Sequence, residues 1–340
     1  MLTYEEFGQL PADRSVIPAS CISFSESAMY VADAAQRYFN EFYEQIGIEE
    51  LAIFESTGSV VVYEGARLQA FKEAVAKIFE NIWKAIKSAY EKIMAKIDEI
   101  RRKMAQKYLK VTAADVKAIP DEKFNNTLGK FKYQKYKDVE KEIEGKIKAE
   151  TAESKLPNFS GYKDADLEKA QDATKTFIDG LYSRICNAIC GKKAESAEAM
   201  QKVIAEACKD GKETELKKSW LAANVDSMNK RTDKALGSVR KKYRDTKAAL
   251  HQATRSLNKI GDDNLSIGQC EVRCKRTNIV AMHSAYMTTV DAQMAEMKQD
   301  LHVLKMLTNL SSSAKKAAKR EEKKAKNESA SFVEEAFDWE

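Results

Sequence analysis

The chain has 340 residues, enough for two or three domains at the usual ~100–200 residues each. Hydrophobic residues at 44% allow a core, while 32% charged residues with only 13 Gly and 4 Pro exclude several classes. Those are a collagen, a disulfide mini-protein, a many-turned β-sandwich and a Gly-rich nucleotide-binding α/β enzyme. In chain order, residues 1–50 mix loop and helix: Pro11 and Pro18 punctuate the start, and 25–46 carries a helical pattern through Met29, Ala35, Phe39, Phe42 and Ile46. Short β-type runs at 51–54 and 59–63 flank Ser56, Thr57 and Gly58 and predict a hairpin. The stretch 66–108 is the most periodic, with Leu68, Phe71, Val75, Ile78, Ile82, Ile86, Ile93, Ile97 and Met104 at three- and four-residue steps. Around 118–137 the period fails; Pro120, Gly129 and the alternation Lys130, Phe131, Lys132, Tyr133 predict a loop with a short strand. A charged helix over 140–153 ends before Pro157 and Gly161.

The second half reads more simply. Helices are expected over 164–190, closed by Gly191, and over 196–209, closed by Asp210 and Gly211. Residues 213–260 read as one long helix, in which Gly237 costs ~1 kcal/mol relative to Ala. A turn at 261–264 returns the chain into a helix over 267–310, which should lie antiparallel to its predecessor. From Ser311 the sequence is of low complexity, and no repeat of ~20–50 residues recurs. The expected fold class is mainly α: an elongated antiparallel helical bundle with a small mixed N-terminal region containing a β-hairpin. Its divisions would be 1–65, 66–155, 156–312 and a disordered charged tail, 313–340.

The chemistry is sparse. The 57 basic and 52 acidic residues leave +5 at a pI near 8.6, so a polyanionic partner has to be argued from local clustering. No run approaches the ~18 apolar residues of a membrane span, and the acidic, polar first ten residues do not resemble a secretory signal. Three histidines without metal-binding spacing, no G-x-S-x-G elbow and no phosphate-binding glycine loop leave catalysis without a signature. The expectation is a non-enzymatic protein with no cofactor and no small-molecule substrate. Six cysteines include two i, i+4 pairs, Cys186/Cys190 and Cys270/Cys274, which could offer thiolates to zinc but more simply fill core positions. The chain reads as made in a reducing cytoplasm.

Two helices are basic. Over 66–110 there are 12 basic against 5 acidic residues, opposite the apolar stripe; such a helix either lies on an anionic membrane or belongs to a bundle with solvated lysines. Over 230–259 the basic residues are Lys230, Arg231, Lys234, Arg240, Lys241, Lys242, Arg244, Lys247, Arg255 and Lys259, against Asp233 and Asp245. That face would track phosphates non-specifically or be merely solvated. In the tail, 314–326 is basic and 328–340 acidic, and Phe332, Phe337 and Trp339 form a candidate docking peptide.

The segment Glu55-Ser56-Thr57-Gly58, the entry Glu64-Gly65-Ala66 and the helix containing Phe79-Glu80-Asn81-Ile82-Trp83-Lys84-Ala85-Ile86 resemble a recurring pattern. So do Ile97-Asp98, Gln106-Lys107-Tyr108 and Lys130-Phe131-Lys132-Tyr133. The pattern occurs in uncharacterised virion proteins of large tailed bacteriophages of Gram-positive and gut bacteria, and the resemblance covers roughly residues 51–137. It implies a structural or internal virion component, synthesised in the host cytoplasm, whose partners are other virion proteins. If the particle matures by proteolysis, Glu55 after Ile53 and Phe54 is a loose match to a prohead-protease site. The alternative expectation is a helical module that binds nucleic acid or, less readily, a membrane surface.

Overall fold

The computed structural model describes residues 63–107, 111–261 and 265–337. The expected helix over 25–46, the Glu55 site and all of the 51–63 hairpin but its last residue lie outside them; that residue, Tyr63, opens a helix. The fold is mainly α. In chain order it comprises α1 (Tyr63–Lys107), α2 (Ala113–Lys117), α3 (Asp121–Phe124), a π-helical turn (Asn125–Gly129), β1 (Lys132–Gln134) and α4 (Lys137–Glu150). Then follow α5 (Leu167–Cys190), α6 (Ala197–Lys209), β2 (Glu213–Glu215), α7 (Lys218–Asn229), α8 (Arg231–Leu257) and α9 (Leu265–Phe337).

The chain forms two compact units. Among the described residues the first comprises 63–91, 142–206 and 242–291, and the second 92–141, 207–241 and 292–337. Neither follows the sequential divisions read from composition, because α1, α8 and α9 each contribute residues to both.

In the first unit the α1 stripe Phe71, Val75, Ile78, Phe79, Ile82, Ile86 and Tyr90 is buried, as its three- and four-residue spacing requires. Trp83 and Tyr90 pack on Tyr243 of α8, with ring centroids 5.1 and 5.4 Å apart. Gly191 ends α5 at φ 67°, the left-handed conformation that glycine adopts without penalty. Near the start of α9, Gly268 faces Ile260, whose Cγ2 lies 2.9 Å from where a Cβ would stand.

The second unit centres on Met104, Val116, Ile119, Phe124, Leu128, Tyr133, Leu221, Val225, Met228, Val303, Leu304 and Leu307. α2 starts in a capping box: the Asp115 N–H donates to Thr112 Oγ1 at 3.3 Å, and the Thr112 N–H donates to Asp115 Oδ2 at 2.9 Å. β1 pairs antiparallel with β2, Tyr133 opposite Thr214. α8 and α9 run antiparallel here, since Arg231 meets Asp300 while Ser238 meets Gln293.

Two expectations change. Residues 213–260 are not one helix: β2 pairs with β1, Lys217 is extended, and the chain breaks again at Lys230 between α7 and α8. The strand exists because a partner strand some 80 residues earlier takes its hydrogen bonds, which local propensity does not register. At the second break, Asn229 Nδ2 donates to the Val111 carbonyl at 3.3 Å, so its side chain serves a tertiary contact. The helix expected over 267–310 is longer, because α9 continues to Phe337 through the stretch read as a disordered tail. Ala, Lys, Arg and Glu favour helix, and extending an existing helix avoids the cost of nucleation.

Candidate functional site

In the second unit a buried ionic cluster joins three elements. Arg231, the first residue of α8, ion-pairs with Glu296 and Asp300, one turn apart on α9. Tyr133 of β1 donates its hydroxyl hydrogen to Asp300 Oδ1 at 2.6 Å and accepts from Arg231 Nη2 at 3.3 Å. The Asp300 and Glu296 side chains are 0% and 6% exposed, so one guanidinium serves two carboxylates away from water. Burial pushes the Asp300 carboxyl up to about 6, although Arg231 opposes the shift. Burial and then the Asp300 charge raise the Tyr133 hydroxyl. Desolvation works against the charge on Arg231, yet Asp300, Tyr133 and Glu296 hold its pKa above the usual value. The cluster therefore fixes β1, α8 and α9 to one another. Sequence reading missed Tyr133, Glu296 and Asp300; the available signal was two acids one turn apart among the buried Met294, Met297, Val303 and Leu304.

The first unit buries its own polar groups. Lys242 on α8 is 2% exposed and pairs with Glu144 of α4 at 2.5 Å, while Lys148 and Asp245 pair at 2.7 Å nearer the surface. Tyr90 shares a hydrogen bond of 3.3 Å with Thr246 and packs edge-on against His283, centroids 5.4 Å apart. His283 is fully buried, neither ring nitrogen has a partner, and burial lowers its pKa to about 3. A cleft of about 550 Å³ lies between the 153–162 loop and the facing ends of α8 and α9. In it Lys275 donates to Glu153 at 2.7 Å and to Ser256 Oγ at 2.5 Å, with Glu271 at 3.3 Å.

Cys186, Cys190, Cys270 and Cys274 are free thiols, all raised by burial, Cys186 and Cys274 to about 12. Among the described residues no group of three or more His, Cys, Asp or Glu is placed to hold a metal ion. Among them, also, no helix is long and apolar enough to cross a membrane.

The basic face read from 230–247 divides. Lys230, Lys234, Arg240, Lys241, Arg244 and Lys247 are exposed, with the Lys247 ammonium 5.6 Å from the Trp83 ring centre. Arg231 and Lys242 are not part of that face, because each turns inward, Arg231 to the buried Glu296 and Asp300 and Lys242 to the half-buried Glu144. The structure also brings together the two basic helices that the sequence presents separately. Within the second unit Arg101 of α1 pairs with Asp233 of α8 at 3.4 Å. Of the docking peptide, Phe332 and Phe337 lie on the α9 backbone, and Trp339 falls outside the described residues. No family model, curated protein or solved structure matches the chain.

Proposed function

We propose that this chain is a non-enzymatic structural and interaction protein, a component of a tailed-phage virion that binds other particle proteins through the end of α9. The observation that carries the interaction reading is the last stretch of that helix. From Ser312 to Lys324 every position is exposed except Ala314, which is half-buried, so this segment contributes almost nothing to the core. It is attached by the pair Lys315–Asp115 at 2.7 Å, and the helix continues to Phe337, roughly 40 Å of arm at 1.5 Å per residue. The sequence at its end mixes Phe332, Phe337 and Trp339 with Glu334, Glu335, Asp338 and Glu340, the composition of a helix-in-groove ligand for a basic-rimmed apolar groove. The virion reading rests on the resemblance over 51–137.

Mass spectrometry of purified particles tests membership and reports any cleavage after Glu55; a chain absent from particles overturns the virion reading. Deleting 331–340 tests the arm. Recruitment to the assembly should be lost while helical content is retained, and recruitment that survives the deletion overturns the docking reading.

A further inference from the structure

We propose that the paired basic helices of the second unit, α1 over 92–107 and α8 over 231–241 with Lys230 just before it, form a surface that binds the phosphate backbone of double-stranded nucleic acid. This stands independently of the virion reading. The charge is unevenly distributed: among the described residues the second unit holds 31 basic against 19 acidic, +12, and the first 23 against 19, +4. The two-helix stretch alone holds 11 basic and 3 acidic residues. Arg101–Asp233 ties the two helices side by side, and Lys92, Arg102, Lys230, Lys234, Arg240 and Lys241 are exposed. Of these, Lys92, Lys230, Lys234, Arg240 and Lys241 have no ion-pair partner among the described residues and are available to a phosphate, while Arg102 lies in the field of Glu99. On α1, Lys92 and Arg102, and on α8, Lys234, Arg240 and Lys241, fall within an arc of about 120° at 100° per residue, away from the buried side chains.

Two further observations select the partner. A membrane-surface helix needs apolar side chains on the face it presents, whereas here Ile93, Ile97 and Met104 of α1 and Leu236 and Val239 of α8 are buried. Single-strand binders stack bases on aromatic rings, and neither 92–107 nor 230–241 contains Phe, Tyr or Trp. A rigid cation array without stacking groups suits a rigid polyanion, with phosphate contacts and no base readout.

The test is fluorescence anisotropy of a labelled 30-base-pair DNA duplex with the full chain between 25 and 200 mM salt. The duplex should be bound at low salt with little sequence preference. The combined variant Lys234→Glu, Arg240→Glu and Lys241→Glu should make the slope of log K against log salt shallower by about 2 to 3, at ~0.9 for each phosphate left without its cation. The control Lys175→Glu, Lys193→Glu and Lys202→Glu, three exposed lysines of the first unit, should leave that slope within one. Circular dichroism of both variants verifies that they fold. Absence of binding at 25 mM salt overturns the proposal, as does an equal effect of the two variants. Binding to phosphatidylserine vesicles that outcompetes the duplex also overturns it, in favour of a membrane partner.

Discussion

His283 and Asp300 respond to protons in opposite senses. His283 sits fully buried with both nitrogens unpartnered and a pKa lowered to about 3 by desolvation. Between pH 6.5 and 3 the unfolded chain therefore binds its proton and the folded chain does not, so stability falls on acidification, by up to ~1.4 kcal/mol per pH unit. His283→Leu should flatten that fall, making the variant gain on the parent as pH drops from 7 to 4.5. Asp300, raised by burial to about 6, acts oppositely: the folded chain keeps a proton that the unfolded chain releases near pH 4, so stability is lost as pH rises through that window. Asp300→Asn should therefore compare best with the parent at pH 7 and worst at pH 4. Arg231→Met, which leaves two carboxylates buried without their cation, should cost ~3–5 kcal/mol at pH 7. Urea midpoints across pH check all three; a histidine variant whose midpoint tracks the parent across pH would refute the first.

At the scale of elements, helix punctuation sets the predictions. Gly191 stops α5 at φ 67°, where any other L-residue except Asn is strained, so Gly191→Ala should destabilise by about 1 kcal/mol. Gly237 lies exposed inside α8 with open space around its α-carbon, so Gly237→Ala should stabilise by about 0.5–1 kcal/mol. Opposite signs for the same chemical change, read by thermal melting, separate backbone conformation from packing. The first of these glycines was legible as a helix stop, because capping is local in sequence. The breaks before and after α7 were not legible: 213–260 holds no proline, and its helical periodicity runs through Trp220, Val225 and Leu236. What divides it is the pairing of β2 with β1 and the use of Asn229 as a donor to Val111.

For the whole molecule, stability resides in the two cores and not in the end of α9. Deleting 316–340 should move the melting temperature by no more than about 1–2 °C, because every described side chain removed is exposed. A larger drop would show that the arm packs on the bundle. The sequence by itself determined the mainly α class, the buried stripe of α1, the ends of α5 and α6 and the two basic helices, since period, capping and charge are written within a few turns of chain. Only the tertiary structure decided which charges remain available. Lys242 and Arg231 look like their basic neighbours in sequence, yet Glu144 lies 98 residues before the first, and Glu296 and Asp300 lie 65 and 69 residues after the second. Burial in water-poor surroundings makes such distant pairs obligatory, and no local pattern carries that information.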